Sequence, residues 1–84
     1  MIEFERDRPV WIQVAEILRE RIERGDYLPR HLIPSEVQMV QEFGVARGTA
    51  RKVVAYLREE GVVYTVPQIG SFVCPPAEGE NAKG

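Results

Sequence analysis

From Pro34 to Leu57 the sequence allows little besides two short helices meeting at a tight turn. Ser35 is a good helix N-cap, because its hydroxyl can accept from the free backbone N–H groups of the first turn. Gln38, three residues on, can reach back and complete a capping box. Met39, Val40 and Phe43 then recur at helical spacing up to Gly44, a residue able to take the left-handed conformation that ends a helix. After Val45 a second pattern starts. Ala50, Val53, Val54 and Leu57 form an apolar stripe, with Arg47, Gly48, Thr49, Arg51 and Lys52 mostly off it. A helix, a glycine turn and a helix whose first turns carry cations and a hydroxyl is the layout of a DNA-reading helix-turn-helix.

The flanking segments add one helix before this pair and a hairpin after it. Pro9 suits the first turn of a helix, where its missing N–H is not needed. Val10, Val14, Ile17 and Leu18 lie on one stripe of that helix and Trp11, Ala15, Leu18 and Ile22 on an adjoining one, before Gly25 ends it. So wide an apolar face is expected to pack on both other helices, with Trp11 near its edge. Asp26 to Ile33 reads as a loop broken at Pro29. Tyr27 and Leu28 are expected to fold back onto the core, and Leu32-Ile33 to make a very short strand. Gly61 closes the third helix. Val62 to Val66 has strand composition, Ser71 to Cys74 reads as its return, and Pro67-Gln68-Ile69-Gly70 is the turn. The expected fold is mainly α with a small β-hairpin, a winged helix-turn-helix of three helices plus a two-stranded wing. Residues 1–8 form an N-terminal arm, 9–74 the domain and 75–84 a flexible tail.

Taken together, these blocks resemble the N-terminal winged-helix domain of GntR-type bacterial transcription regulators. The resemblance runs through Gly25-Asp26-Tyr27-Leu28-Pro29-Arg30-His31-Leu32-Ile33-Pro34-Ser35-Glu36 and Phe43-Gly44-Val45-Ala46-Arg47-Gly48-Thr49-Ala50-Arg51. It ends with Leu57, Gly61, Val63 and Ile69-Gly70-Ser71-Phe72-Val73. It covers about residues 9–74, and several separated blocks in the right order and spacing make it specific. It implies a sequence-specific DNA-binding regulator, most often a repressor, acting as a homodimer on a palindromic operator, and the single cysteine makes the reducing cytoplasm the simplest compartment. The resemblance also implies that Arg47, Thr49 and Arg51 face DNA. The residue types suit that role. Arginine can donate two parallel bonds to guanine O6 and N7, and Arg47 and Arg51, four apart, project from one side of the helix. Thr49 offers a hydroxyl or methyl to a base edge, Gly48 permits close approach of the backbone, and Lys52 suits a phosphate. The Ser35 end of the preceding helix is expected over the DNA backbone, and Gln68 with the backbone at Gly70 is the contact left to the wing.

Several positions depart from the family pattern. Arg30 stands where the family has glycine after the first proline. Ala46 replaces a serine and cannot cap, a loss of typically ~1 kcal/mol. Ala50 stands where valine is frequent. In the wing Gln68 replaces the first glycine, Ile69 stands at the tip and no cation is present. The wing is therefore expected to add less to DNA affinity than in relatives, with Ile69 free to pack on a second subunit. A linker and an effector or oligomerisation domain would follow in the family. The tail stands where that linker would begin and no such domain is in the sequence, so an excised domain or a complete one-domain regulator is expected, with no small-molecule effector site within the chain.

Composition bears on these expectations in both directions. At 84 residues there is room for one small domain, burying only ~60% of its unfolded surface. The net charge of −2 counts against nucleic-acid binding. Residues 45–58, however, carry Arg47, Arg51, Lys52 and Arg58 with no acid, while the acids gather in the arm, the first helix and the tail. Such a positive face predicts few phosphate contacts. The alternative, motivated by the acidic total and the cation-free wing, is a winged-helix protein-interaction module that does not bind DNA. No apolar run is long enough for a membrane span, and no secretory signal opens the chain. The lone Cys74 reads as a small buried hydrophobe ending the last strand. His31, the only histidine, lacks the companions a metal site needs. With no cofactor loop and no grouping of nucleophile, base and oxyanion donors, no enzyme activity and no cofactor are expected.

Overall fold

The computed structural model describes residues 3–75. Three helices, α1 (Val10–Arg24), α2 (Glu36–Phe43) and α3 (Arg47–Glu59), precede an antiparallel hairpin of β1 (Val63–Val66) and β2 (Gly70–Val73). The expected fold class is the observed one.

Pro9 sits one position earlier than expected, at the N-cap of α1, where it has no side chain able to cap. Gln13 does not cap the helix either, but it fastens the preceding arm to it. Its Nε2 donates to the carbonyls of Glu5 and Arg8, both at 2.9 Å, and its Oε1 accepts from Glu5 N at 2.8 Å. The amide is buried but fully partnered, and it ties the arm to α1 so that Phe4 packs against the core. At α2 the capping box forms as the residues dictate: Gln38 N donates to Ser35 Oγ at 3.1 Å, and Ser35 N donates to Gln38 Oε1 at 2.8 Å. Gly44 then takes φ 68° and donates its N–H to Val40 O, turning the chain into α3 within three residues. Ala46 leaves α3 without a side-chain cap.

Val14 and Leu18 of α1, Met39 and Phe43 of α2 and Ala50, Val53 and Leu57 of α3 meet in one core, which Val63 and Val73 of the hairpin close from below. Trp11 rests at the edge of this packing, its ring 5.4 Å from that of Tyr56 in an edge-on arrangement. The hairpin pairs Val63 with Val73 through Val66 with Gly70. The expected short strand at Leu32-Ile33 appears as a bridge from Leu32 to Phe72, flanked by Arg30 N to Val73 O and Ile33 N to Ser71 O. This lays the loop along the free edge of β2.

Two details differ from expectation. Tyr27 does pack on the core, but Leu28 is exposed. His31 N bonds to Leu28 O across Pro29-Arg30, and this turn puts Leu28 at an outer corner. Cys74 lies just beyond β2 and is half-buried; its surroundings push the thiol's pKa up through desolvation. Most of the tail expected over 75–84 falls outside the described residues.

Candidate nucleic-acid interface

The sequence of α3 commits one side to the core, so its other side must face out. Ala50, Val53 and Leu57 are fully buried, and Arg47, Gly48, Arg51 and Lys52 are exposed with Thr49 half-buried beside them. The hairpin folds back against the far end of α3, and the capped start of α2 stands against its near part. Between the three lies an open groove of about 420 Å³.

Ser35, Arg47, Arg51, Gln68 and Gly70 all line this groove. Gly48, Thr49 and Lys52 do not. Lys52 follows Arg51 by one residue, a rotation of about 100° around the helix, and its Nζ lies over the Trp11 ring at 5.2 Å from the centroid. It therefore sits on the α1 side of α3. Gly48 is in the first turn of α3, with open space where a Cβ would project. Ser35 Oγ accepts from the α2 backbone and keeps its own hydroxyl proton to donate outward.

Two charged residues of the groove were not among the expected site residues, although one of them, Arg58, was counted in the positive stretch of α3. Arg58 lines it from the last turn of α3, its Nη1 donating to Thr65 Oγ1 at 3.1 Å, and Thr65 Oγ1 in turn lies 2.9 Å from Ser71 Oγ. This chain of hydrogen bonds fastens the helix to both strands of the hairpin. A signal for Arg58 was present: it follows Arg51 by seven residues, two helical turns along the same face. Glu36 is the second. Its Oε1 accepts from Arg47 Nη2 at 3.4 Å, and its Oε2 lies 3.5 Å from Arg51 Nε.

The hairpin carries two further features of the groove rim. Ile69 N bonds to Val66 O across Pro67 and Gln68, with Gln68 at φ 69°. Proline followed by a positive-φ residue is the pattern of a type II turn, and it holds Ile69 out at the tip, 64% exposed. Behind it, a Cβ on Gly70 would stand 2.8 Å from Leu32 Cδ2, so the strand edge approaches the loop as closely as a glycine allows.

Among the described residues, no group of three or more His, Cys, Asp or Glu is arranged to hold a metal ion. No described helix is long and apolar enough to cross a membrane. The groove therefore offers cations, hydroxyls and one carboxylate on a concave rim, a set suited to hydrogen-bonding an anionic polymer.

The chain is similar to bacterial transcription regulators. NagR, a transcriptional repressor of Bacillus subtilis, is 32% identical over 90% of this chain. The histidine utilization repressor of Klebsiella aerogenes is 32% identical over 88%. The chain spans about a third of the length of these curated relatives, 31% and 30% respectively. The DNA-binding domain of AraR, solved on its operator ORX1, superposes with a TM-score of 0.82 at 34% identity, covering 88% of this chain and 95% of that one. The same domain on operator ORR3 gives 0.78 at 36% identity, covering 88% and 89%. The family model for bacterial regulatory proteins of the gntR family matches residues 12–73. With most of its length inside that match, the chain belongs to the GntR family.

Proposed function

We propose that the chain is the sequence-specific DNA-binding part of a bacterial transcription regulator, acting in the cytoplasm. The observation that carries this reading is the convergence of Arg47, Arg51 and Arg58 on one groove between the capped start of α2 and the hairpin. The AraR domain solved on operator DNA, similar in fold and sequence, supports it, and repressors among the relatives favour repression as the outcome. The protein-interaction alternative has no comparable support.

In this reading α3 enters the major groove. Arg47 and Arg51 donate to guanine O6 and N7, Thr49 meets a base edge, and Gly48 lets the first turn come close. Ser35 and Arg58 bind phosphates on the groove side and Lys52 on the α1 side, so the helix is braced from both flanks. Gln68 and the backbone at Gly70 supply the wing's contact. Two copies on a palindromic operator would double these contacts.

Titration of the chain into a duplex enriched by it from a randomised pool, beside a scrambled duplex and at several salt concentrations, tests the proposal. Arg47→Ala and Arg51→Ala are each expected to cost ~1–3 kcal/mol on the enriched duplex and to relax the preference at one base pair. Equal binding by wild type and both variants would refute the assignment of these residues.

A further inference from the structure

Glu36 opens α2, and its carboxylate stands between the two outer arginines of α3. Its side chain is 29% exposed against 62% for Arg47 and 68% for Arg51, so the acid is set back while the guanidiniums stand forward of it. Among the described residues it is the carboxylate that the cations of α3 pair with; Lys52 rests on an aromatic ring and Arg58 on a hydroxyl.

The atoms it approaches matter. Arg47 is approached at one terminal nitrogen and Arg51 at Nε. A guanidinium has five N–H donors in a rigid fork. Approach at Nε leaves both terminal nitrogens of Arg51 free, and that pair of N–H groups matches the spacing of O6 and N7 on a guanine edge. A guanine edge is neutral overall and tolerates a carboxylate behind the arginine. A phosphate is an anion and must compete with that carboxylate for the same two cations.

We propose that Glu36 is a positioning residue, acting through Arg47 and Arg51, that sets how strongly this chain prefers a guanine edge over bare phosphate. It aims the arginine forks outward and lowers the affinity of complexes held by the DNA backbone alone. The proposal rests on the DNA-binding reading. It does not follow from that reading, because the same arginines without Glu36 would still bind DNA.

The experiment compares wild type, Glu36→Gln, Glu36→Asp and Glu20→Gln on the enriched and the scrambled duplex across a salt series. Glu20→Gln makes the same change of net charge on the outer side of α1 and is the control. Glu36→Gln is expected to bind the scrambled duplex about 5- to 10-fold more tightly. Its salt dependence there should steepen by about 0.9 in log–log slope, the value of one added phosphate contact. Its affinity for the enriched duplex should rise less or fall, so the ratio between duplexes shrinks. Glu36→Asp, which keeps the charge, should hold scrambled binding near wild type. The inference is overturned if Glu36→Gln behaves as Glu20→Gln does, or if it weakens both duplexes alike, as a merely structural role would. If the wild-type chain enriches no duplex, the DNA-binding reading itself fails and this inference falls with it. Enrichment by wild type with an unchanged Glu36→Gln ratio refutes the inference alone.

Discussion

Arg30 and Gln68 are the non-glycine residues at positive φ among those described, at 67° and 69°, and each follows a proline in a turn closed by a backbone bond. An L-residue in the left-handed region costs roughly 1–2 kcal/mol, because Cβ crowds the following carbonyl. Replacing it by glycine removes that cost and returns about 0.4–1 kcal/mol to the unfolded chain as added freedom. The balance favours glycine by about 0.5–1 kcal/mol at each position. Both side chains are exposed, and neither makes a side-chain hydrogen bond or ion pair among the described residues, so little else is lost. Arg30→Gly and Gln68→Gly should therefore each raise the thermal midpoint by about 3–6 °C and shift the urea midpoint upward with the slope unchanged. Gly25→Ala supplies the mirror image. At φ 90°, with open space where its Cβ would lie, it isolates the same backbone term with the opposite sign and should destabilise by about as much. Urea unfolding followed by helix signal measures all three. If the two glycine variants lower the midpoint, left-handed strain is not a net cost in these turns and the reasoning fails.

Gly70→Ala adds a steric test at φ 144°, since the new methyl meets Leu32 Cδ2 at 2.8 Å. Urea titration should show a loss of about 1–2 kcal/mol, partly recovered in a Gly70→Ala, Leu32→Ala double variant because Leu32 is half exposed and its far end is what clashes. Cys74, whose thiol is pushed up by burial, should be alkylated by iodoacetamide at neutral pH more slowly in the folded chain than in urea. The sign for stability follows: the folded state holds the thiol proton more tightly, so this contribution is present below the thiol's unfolded pKa and lost as pH rises through its folded one. A folded-state alkylation rate equal to that in urea would contradict it.

The parts legible in sequence were those fixed by neighbours along the chain. The capping box of Ser35 and Gln38 and the stop at Gly44 need only a few consecutive residues, so the bounds of α2 are readable to the residue, while the start of α3, with no capping side chain at Ala46, is readable only approximately. Leu28 departs from its expected place in the core because its apolarity says nothing about the turn bond that carries it outward. Gln13 gave no signal, since the carbonyls it satisfies belong to an arm without periodicity. Residue type separates Arg51 from Lys52 as base reader and phosphate contact, but not the flanks they occupy, one in the groove and one on Trp11, because one helical step divides the two sides of α3. The groove itself depends on the hairpin closing against α3 through Arg58, Thr65 and Ser71, a contact no local pattern contains.

The acidic total looked like an argument against DNA, and the ion pairs explain why it is a weak one. Arg8 pairs with Glu5 and Glu16, Arg19 with Glu23 and Glu60, Arg21 with Glu42 and Arg24 with Asp26. These cations of the arm and α1 are spent on nearby carboxylates, whereas among the described residues Arg47 and Arg51 of α3 share Glu36, and Lys52 and Arg58 pair with no carboxylate. Neutralisation is thus local. At physiological salt charges are screened over about 8 Å, so a phosphate approaching α3 is governed by Arg47, Arg51, Arg58 and Glu36 and hardly by the far side of α1. What a polymer of phosphates meets is a short positive rim with one carboxylate set into it. On the proposed reading, such a surface holds DNA weakly by charge alone and gains the rest of its affinity from the base edges assigned to its arginines.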